Sequence, residues 1–165
     1  MAKRSNHYDA AFEQLLRQIR RPYVSVDEAR RALLLDASLK SMDFIVYSRK
    51  TENLLVDVKG RRFEHGSRTW DNWTMQEDIS SLMRWQQIFG KEFRSLLVFA
   101  YDIASGEDRD DHPLTWEIRG RWYAFYGVWA EDYARVMKTR SPSWQTVCLP
   151  AKEFQRLRQP MLELL

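Results

Sequence analysis

Cysteine is nearly absent: Cys148 stands alone among 165 residues. No internal disulfide can form, which excludes the stapled framework of small secreted domains and fits a reducing compartment. No apolar run approaches the roughly 20 residues that span a bilayer, so no membrane partner is expected. The opening stretch, MAKRSNHYDAAFEQ, lacks the apolar core of a secretory signal. Repeats and low-complexity segments are missing as well. Charge of one sign is also scarce, since the net value is only +3, and this balance alone does not require a polyanionic partner. The expectation is a cytoplasmic protein.

What is present suits one globular domain over residues 1–165, because hydrophobic residues are 44% and charged residues 30% of a chain long enough to bury a core. The charge is unevenly spread. Residues 102–113 carry a net −4, which leaves +7 for the remainder. Lys59, Arg61, Arg62 and Arg68 face a single acid, Glu64, in a local basic stripe.

The chain organises around residues 41–62, SMDFIVYSRKTENLLVDVKGRR. Two apolar runs, 42–47 and 54–58, flank a wholly polar turn, and this pattern predicts a β-hairpin. Strand alternation puts Leu55, Asp57 and Lys59 on one face. Charges on such a strand are costly unless paired or metal-bound. A hairpin brings Asp43 to the same end as Asp57 and Lys59. Two carboxylates suit Mg²⁺ (or Mn²⁺), a hard cation that takes oxygen ligands and keeps several waters. The metal polarises a phosphoryl oxygen and acidifies a bound water. A neighbouring lysine would orient that water or stabilise the phosphate in its transition state. The bland alternative is a salt-bridged Asp57–Lys59 pair at a strand end beside a surface Asp43.

This stretch resembles the PD-(D/E)xK nuclease superfamily. Its Ser-x-Asp…Asp-x-Lys wording, at Ser41, Asp43, Asp57 and Lys59, is most similar to archaeal Holliday-junction resolvases and related restriction-endonuclease-like branches. The resemblance implies a mixed α/β fold, a central sheet flanked by helices, with Asp43 and Asp57 as metal ligands, Lys59 as a catalytic residue and DNA as the partner. It also implies a homodimer, since many nucleases of this shape pair to cut two strands.

Residues 6–20 read as a helix, with Asn6 as N-cap and Asp9 in the first turn. Tyr8, Phe12, Leu15, Leu16 and Ile19 form its apolar stripe. Glu13 sits off that stripe and is read either as an i,i+4 partner of Arg17 or as a third metal-site carboxylate. His7-Tyr8-Asp9-Ala10-Ala11-Phe12-Glu13 resembles the signature of the HYExAFE family of uncharacterised bacterial proteins, with Asp9 where the signature has glutamate. In PD-(D/E)xK enzymes a glutamate on the first helix often joins the metal site, and that likeness assigns Glu13. His7 is either an exposed helix-start residue or a phosphate contact and proton relay.

Further along, 23–26 alternates like a short strand, but Ser25-x-x-Glu28 would also serve as the capping box of a helix through Leu35. Lys40 and Ser41 stand ready to donate to a phosphate. Residues 60–73 hold Gly60, Gly66, Arg61, Arg62, Arg68, Trp70 and Trp73, a basic and aromatic loop. Arginines grip phosphates and tryptophans stack on unpaired bases, unless the tryptophans only cover the core. Thr74 to Glu77 opens a helix closed by Gly90, and Gln76 in its first turn matches an auxiliary site residue of some PD-(D/E)xK branches. An apolar strand at 95–101 is expected beside 54–59. A solvated acidic loop, a hairpin turned at Gly120, a helix at 131–138, a strand at 144–149 and a last helix at 151–157 complete the reading.

The functional expectation is a Mg²⁺- or Mn²⁺-dependent endonuclease acting on DNA. Glu13, Asp43 and Asp57 would hold the metal, with Lys59 and Gln76 at the reaction centre and Arg61, Arg62, Arg68, Trp70 and Trp73 on the nucleic acid. The alternatives are a non-catalytic nucleic-acid-binding module of the same fold, and an interaction protein with exposed tryptophans.

Overall fold

The structure is a computed structural model and describes residues 6–27, 32–33, 38–49, 52–66, 69–104 and 106–165. In chain order the elements are α1 (His7–Gln18), β1 (Tyr23–Ser25), β2 (Ala32–Leu33), β3 (Ser38–Leu39), β4 (Phe44–Val46), β5 (Asn53–Phe63), β6 (Thr74–Met75), α2 (Gln76–Phe89), β7 (Phe93–Ile103), β8 (Trp116–Ile118), β9 (Arg121–Trp129), α3 (Ala130–Val136), β10 (Lys138–Ser141), β11 (Thr146–Cys148), α4 (Ala151–Leu157), β12 (Gln159–Pro160) and α5 (Met161–Leu164). The acidic stretch folds into a 3₁₀ turn, Glu107–Asp111, between β7 and β8.

One mixed sheet, ordered β1-β4-β5-β7-β9-β12 with β8 beside β9, forms the centre. β5 and β7 run parallel in register from Asn53↔Phe93 to Phe63↔Ile103. Parallel neighbours need a crossover, and α2 supplies it. The strands at the centre are apolar on both sides because both faces are covered. On one face α1 buries Ala11, Phe12, Leu15 and Leu16 against Phe44, Val56 and Val98, and α5 adds Met161 and Leu164. On the other, α2 lays Ile79 and Leu82 against Leu55, Leu97 and Phe99, with Tyr133 from α3 and Phe154 from α4. A side chain such as Phe12, fully buried, contributes roughly 2–3 kcal/mol by leaving water.

The mixed α/β fold class and the hairpin at 42–58 agree with the expectation. Of the open choice at 23–35, the described residues are extended: Tyr23–Ser25 pairs with β4, and Ala32–Leu33 pairs with Ser38–Leu39; the rest of the helix considered through Leu35 lies outside the described residues. Extended pairing satisfies backbone groups that a short helix after Pro22 would leave to water. Two further differences lie in the second half. The helix expected over 131–138 ends at Val136, and a strand, Lys138–Ser141, starts at Lys138. Beyond Pro150 the chain does not stop at α4, because Gln159–Pro160 pairs with the edge of β9, a position where proline's missing N–H costs nothing.

Candidate functional site

The antiparallel ladder of β4 and β5 ends where chemistry begins. Phe44 faces Val56, so Asp43, one step outside β4, comes opposite Asp57. The Asp43 amide donates to the Val56 carbonyl at 2.8 Å. Its carboxylate Oδ2 then accepts from the Val58 amide at 2.6 Å, replacing the strand partner that β4 no longer offers. β5 continues alone on this side as far as Phe63. Alternation carries Asp57, Lys59 and Arg61 onto the face covered by α2, between Leu55 and Phe63 of the same core.

Burial shapes the charges. The Lys59 ammonium lies 3.0 Å from Asp57 Oδ2 and 2.8 Å from Asp78 Oδ2, with its side chain only 18% exposed. Burial works against the lysine's charge, but Asp57 and Asp78 outweigh it and raise its pKa. For Asp57 burial dominates and the nearby Asp78 charge adds to it, so its pKa is raised in spite of Lys59. Hydrogen bonding from Lys59 and Asp43 acts downward on Asp57 without overcoming its burial. For Asp78 burial acts upward, but Lys59 and Lys40 hold its pKa down at about 2.

Asp78 is the hub of this arrangement. It accepts from Lys40 Nζ at 2.6 Å, from the Thr74 hydroxyl at 2.9 Å and from the Met75 amide at 3.2 Å. The helix start is therefore capped by Asp78 reaching back. The Thr74–Glu77 box read from the sequence does not form, because Asp78 occupies the third helical position and binds the N-cap amide.

A cavity of about 350 Å³ opens beside these groups, lined by Asn6, Tyr8, Asp9, Asp43, Asp57, Lys59 and Arg61, with the backbone of Val58 and Gly60. α1 enters it through its first turn. Asn6 caps the helix by accepting from the Tyr8 amide at 3.0 Å, and the Tyr8 ring lies flat enough on Gly60 that any Cβ there would fall inside it. This close approach brings buried Asp9 to the cavity wall.

Glu13 is not among the residues that line the cavity. One turn further along α1, it accepts from the Tyr23 hydroxyl at 2.7 Å and from Arg17 at 3.1 Å. Gln76 is exposed at the first position of α2, its amide donating to the Gln145 carbonyl at 2.9 Å. Arg61 is at the cavity, bonded to the Gly60 carbonyl at 2.7 Å and to the Trp73 carbonyl. Its guanidinium stacks 4.1 Å from the Trp73 ring centroid. Arg62 points to the opposite side of the strand, exposed and 3.2 Å from Glu64. Arg68 lies outside the described residues. Trp70 packs edge-on against Phe63, Tyr101 and Tyr126 beneath the Arg158 guanidinium. It therefore covers core. His7 is exposed, with Nδ1 2.8 Å from the Tyr123 hydroxyl.

Sequence reading did not bring Asp78 to Lys59, Asp9 to the cavity or Lys40 to Asp78. Asp78 carries a legible signal, an acid three residues after the N-cap, but Glu77 beside it gave the same motif one step early. Among the described residues, no cluster of three or more His, Cys, Asp and Glu side chains is arranged to hold a metal ion. No helix there is long and apolar enough to cross a membrane.

No family model matches the chain, and no curated relative does. The likeness of 7–13 to the HYExAFE signature thus rests on those residues alone. Among solved structures, the chain is similar to a Holliday junction resolvase from the archaeal hyperthermophile Archaeoglobus fulgidus, with 10% identity and a TM-score of 0.57 over 96% of this chain and 97% of that one. At that identity the likeness concerns architecture, and it agrees with the central sheet and flanking helices described above: the fold is restriction-endonuclease-like.

Proposed function

We propose that this protein is a divalent-metal-dependent nuclease that hydrolyses phosphodiester bonds of DNA. One observation carries the reading: Asp43 and Asp57 line one cavity from opposing strands, and Lys59 is held 3.0 Å from Asp57 there. Two carboxylates on one partly buried wall repel each other unless a proton or a cation intervenes. Their oxygen donors suit Mg²⁺ or Mn²⁺, and Mg²⁺ binds through one or two carboxylates with waters and substrate phosphates as its other ligands. Asp43 and Asp57 would hold it, and when bound it would supply Lewis acidity toward a phosphoryl oxygen and a more acidic water.

The chain's own residues supply the rest. Lys59 keeps its proton, since both neighbours raise its pKa, so it acts as a fixed positive charge and not as a base. Two of its three donors point at Asp57 and Asp78; the third would donate to the phosphoryl oxygen where charge develops. Asp78 fixes that ammonium and contacts Lys40 on its other side. Arg61, stiffened by two carbonyls and the Trp73 ring, would take a non-bridging phosphate oxygen. Asp9 would face the water side of the cavity. The Holliday junction resolvase with the similar fold supports DNA as the substrate.

Gel cleavage of linear, branched and single-stranded DNA with Mg²⁺ or Mn²⁺ tests this, with Asp57→Asn as the inactive control. Cleavage of none of them, and of no RNA, sinks hydrolysis. A second reading, a nucleic-acid-binding module without catalysis, is favoured by the lack of a three-carboxylate cluster among the described residues. It would then lead if salt-dependent DNA affinity survived.

A further inference from the structure

The hairpin β10–β11 contributes nothing to the cavity, yet it is built like a contact surface. At its turn Trp144 is 74% exposed, the most of any large hydrophobic side chain described. A tryptophan left in water forgoes the largest burial gain available to a side chain. The surrounding sequence is one-signed. Between Asp132 and Glu153 stand Arg135, Lys138, Arg140 and Lys152 with no acid among them. Lys138 and Arg140 are exposed on the hairpin itself.

The tip is braced from below. Thr146 pairs with Met75 and Val147 with Thr74. The Tyr133 hydroxyl donates toward the carbonyls of Asn72, at 2.8 Å, and Val147, at 3.2 Å. Asn72 Oδ1 accepts from the Leu149 amide at 2.7 Å. The hairpin is thus fixed to the segment that carries Asp78 into the site. Trp144 stands in the turn that joins β10 to β11, two residues before Thr146 pairs with Met75. Arg140 bridges the interval. Its guanidinium is 5.1 Å from the Trp73 ring centroid, and Arg61, which lines the cavity, is 4.1 Å from the same ring. Arg61, Trp73 and Arg140 form a cation–aromatic run from the cavity to the hairpin.

We propose that this hairpin is a subsite for unpaired nucleotides flanking the scissile phosphate. Trp144 stacks on a base, and Lys138 and Arg140 hold the adjoining backbone. Every base offers a π-face and every nucleotide a phosphate, so the pairing of an exposed ring with nearby cations fits a single strand without regard to sequence. The preferred substrate class is then DNA with a single-stranded stretch beside a duplex. This rests on the nuclease reading above and extends it.

The test uses 2-aminopurine in the unpaired arm of a splayed-arm oligonucleotide, with a fully paired duplex of equal length as control and EDTA present. With the unmodified protein, the arm fluorescence is quenched and the duplex signal is not. Trp144→Ala abolishes the quenching and weakens splayed-arm affinity about tenfold, with duplex affinity unchanged, while Trp144→Phe retains most of both. Lys138→Ala with Arg140→Ala weakens binding and flattens its salt slope by roughly 1.5. Melting curves confirm that these surface variants are folded. If the unmodified protein binds DNA and Trp144→Ala binds and quenches identically, the subsite is overturned and the nuclease reading stands. If the unmodified protein neither binds nor cuts any DNA, both are overturned.

Discussion

The Lys59 ammonium lies 2.8 Å from Asp78 Oδ2, so the candidate reactive lysine is also the main counter-charge of a buried acid. Lys59→Met therefore leaves Asp57 and Asp78 without their shared cation. The expected result is a loss of about 3 kcal/mol in urea unfolding at pH 7, besides loss of cleavage. Adding Asp78→Asn should return only part of that stability, because the buried charge is gone but Lys40 loses its partner. A Lys59→Met protein as stable as the unmodified one would sink this coupling.

The acids of this site pull stability in opposite directions with pH. The folded-state pKa of Asp78 is depressed to about 2. Its contribution is complete above the unfolded value near 4 and disappears as pH falls toward 2. Asp57 is raised, so its contribution is present below the unfolded value and is lost as pH rises through the folded one. Asp57→Asn should thus keep or increase stability at pH 7 without metal. It should also abolish cleavage and any Mn²⁺-induced rise in melting temperature. A persistent Mn²⁺ shift in that variant would remove Asp57 from the ligand set.

The first helix places its two carboxylates differently. Asp9 lines the cavity, whereas Glu13 bonds to Tyr23 and Arg17. Asp9→Asn should lower the cleavage rate at least tenfold. Glu13→Gln should leave rate and Mn²⁺ affinity within twofold and change stability by no more than about 1 kcal/mol. Single-turnover kinetics of the two variants decide between them, and the reverse ordering would restore Glu13 to the site.

Gly60 is required by its neighbour. A Cβ would overlap the Tyr8 ring, so Gly60→Ala should cost about 1–3 kcal/mol and move Asp9 away from Asp57. Pairing it with Tyr8→Ala relieves the overlap, and thermal melts of the single and double variants should then be less than additive.

His112 gives the molecule an acid-sensitive point outside the candidate cavity. Buried against Phe63 and Trp70, with Nδ1 2.8 Å from the Tyr126 hydroxyl, its pKa falls to about 4 because burial disfavours the imidazolium. A group lowered on folding stabilises fully above its unfolded value near 6.5 and loses that contribution as pH falls toward 4. Denaturation between those limits should show a decline of up to about 3 kcal/mol, flattened in His112→Gln.

The parts legible in the sequence were those fixed by local periodicity. The hairpin at 42–58, the first helix and the crossover helix each announce themselves through apolar spacing and punctuation, and they place Asp43, Asp57 and Lys59 at one end of the sheet. Asp78 was not legible, because its importance depends on how α2 docks over β5. The same holds for Asp9 against Glu13. Both are acids on α1, and only the close seat of Tyr8 on Gly60 selects the first turn over the second. The strand at 138–141 was hidden because its partner, β11, is itself paired to a two-residue strand far upstream.

β5 outruns β4, and among the described residues no strand pairs with it on that side from Lys59 to Phe63. Bare backbone of this kind is a template for a second copy of the same chain. Arg61 stands beside this margin with its guanidinium tied to the Gly60 and Trp73 carbonyls, and a fixed charge of this kind blunts an edge that another strand would otherwise extend. The arginine proposed for phosphate contact therefore also caps the open end of the sheet.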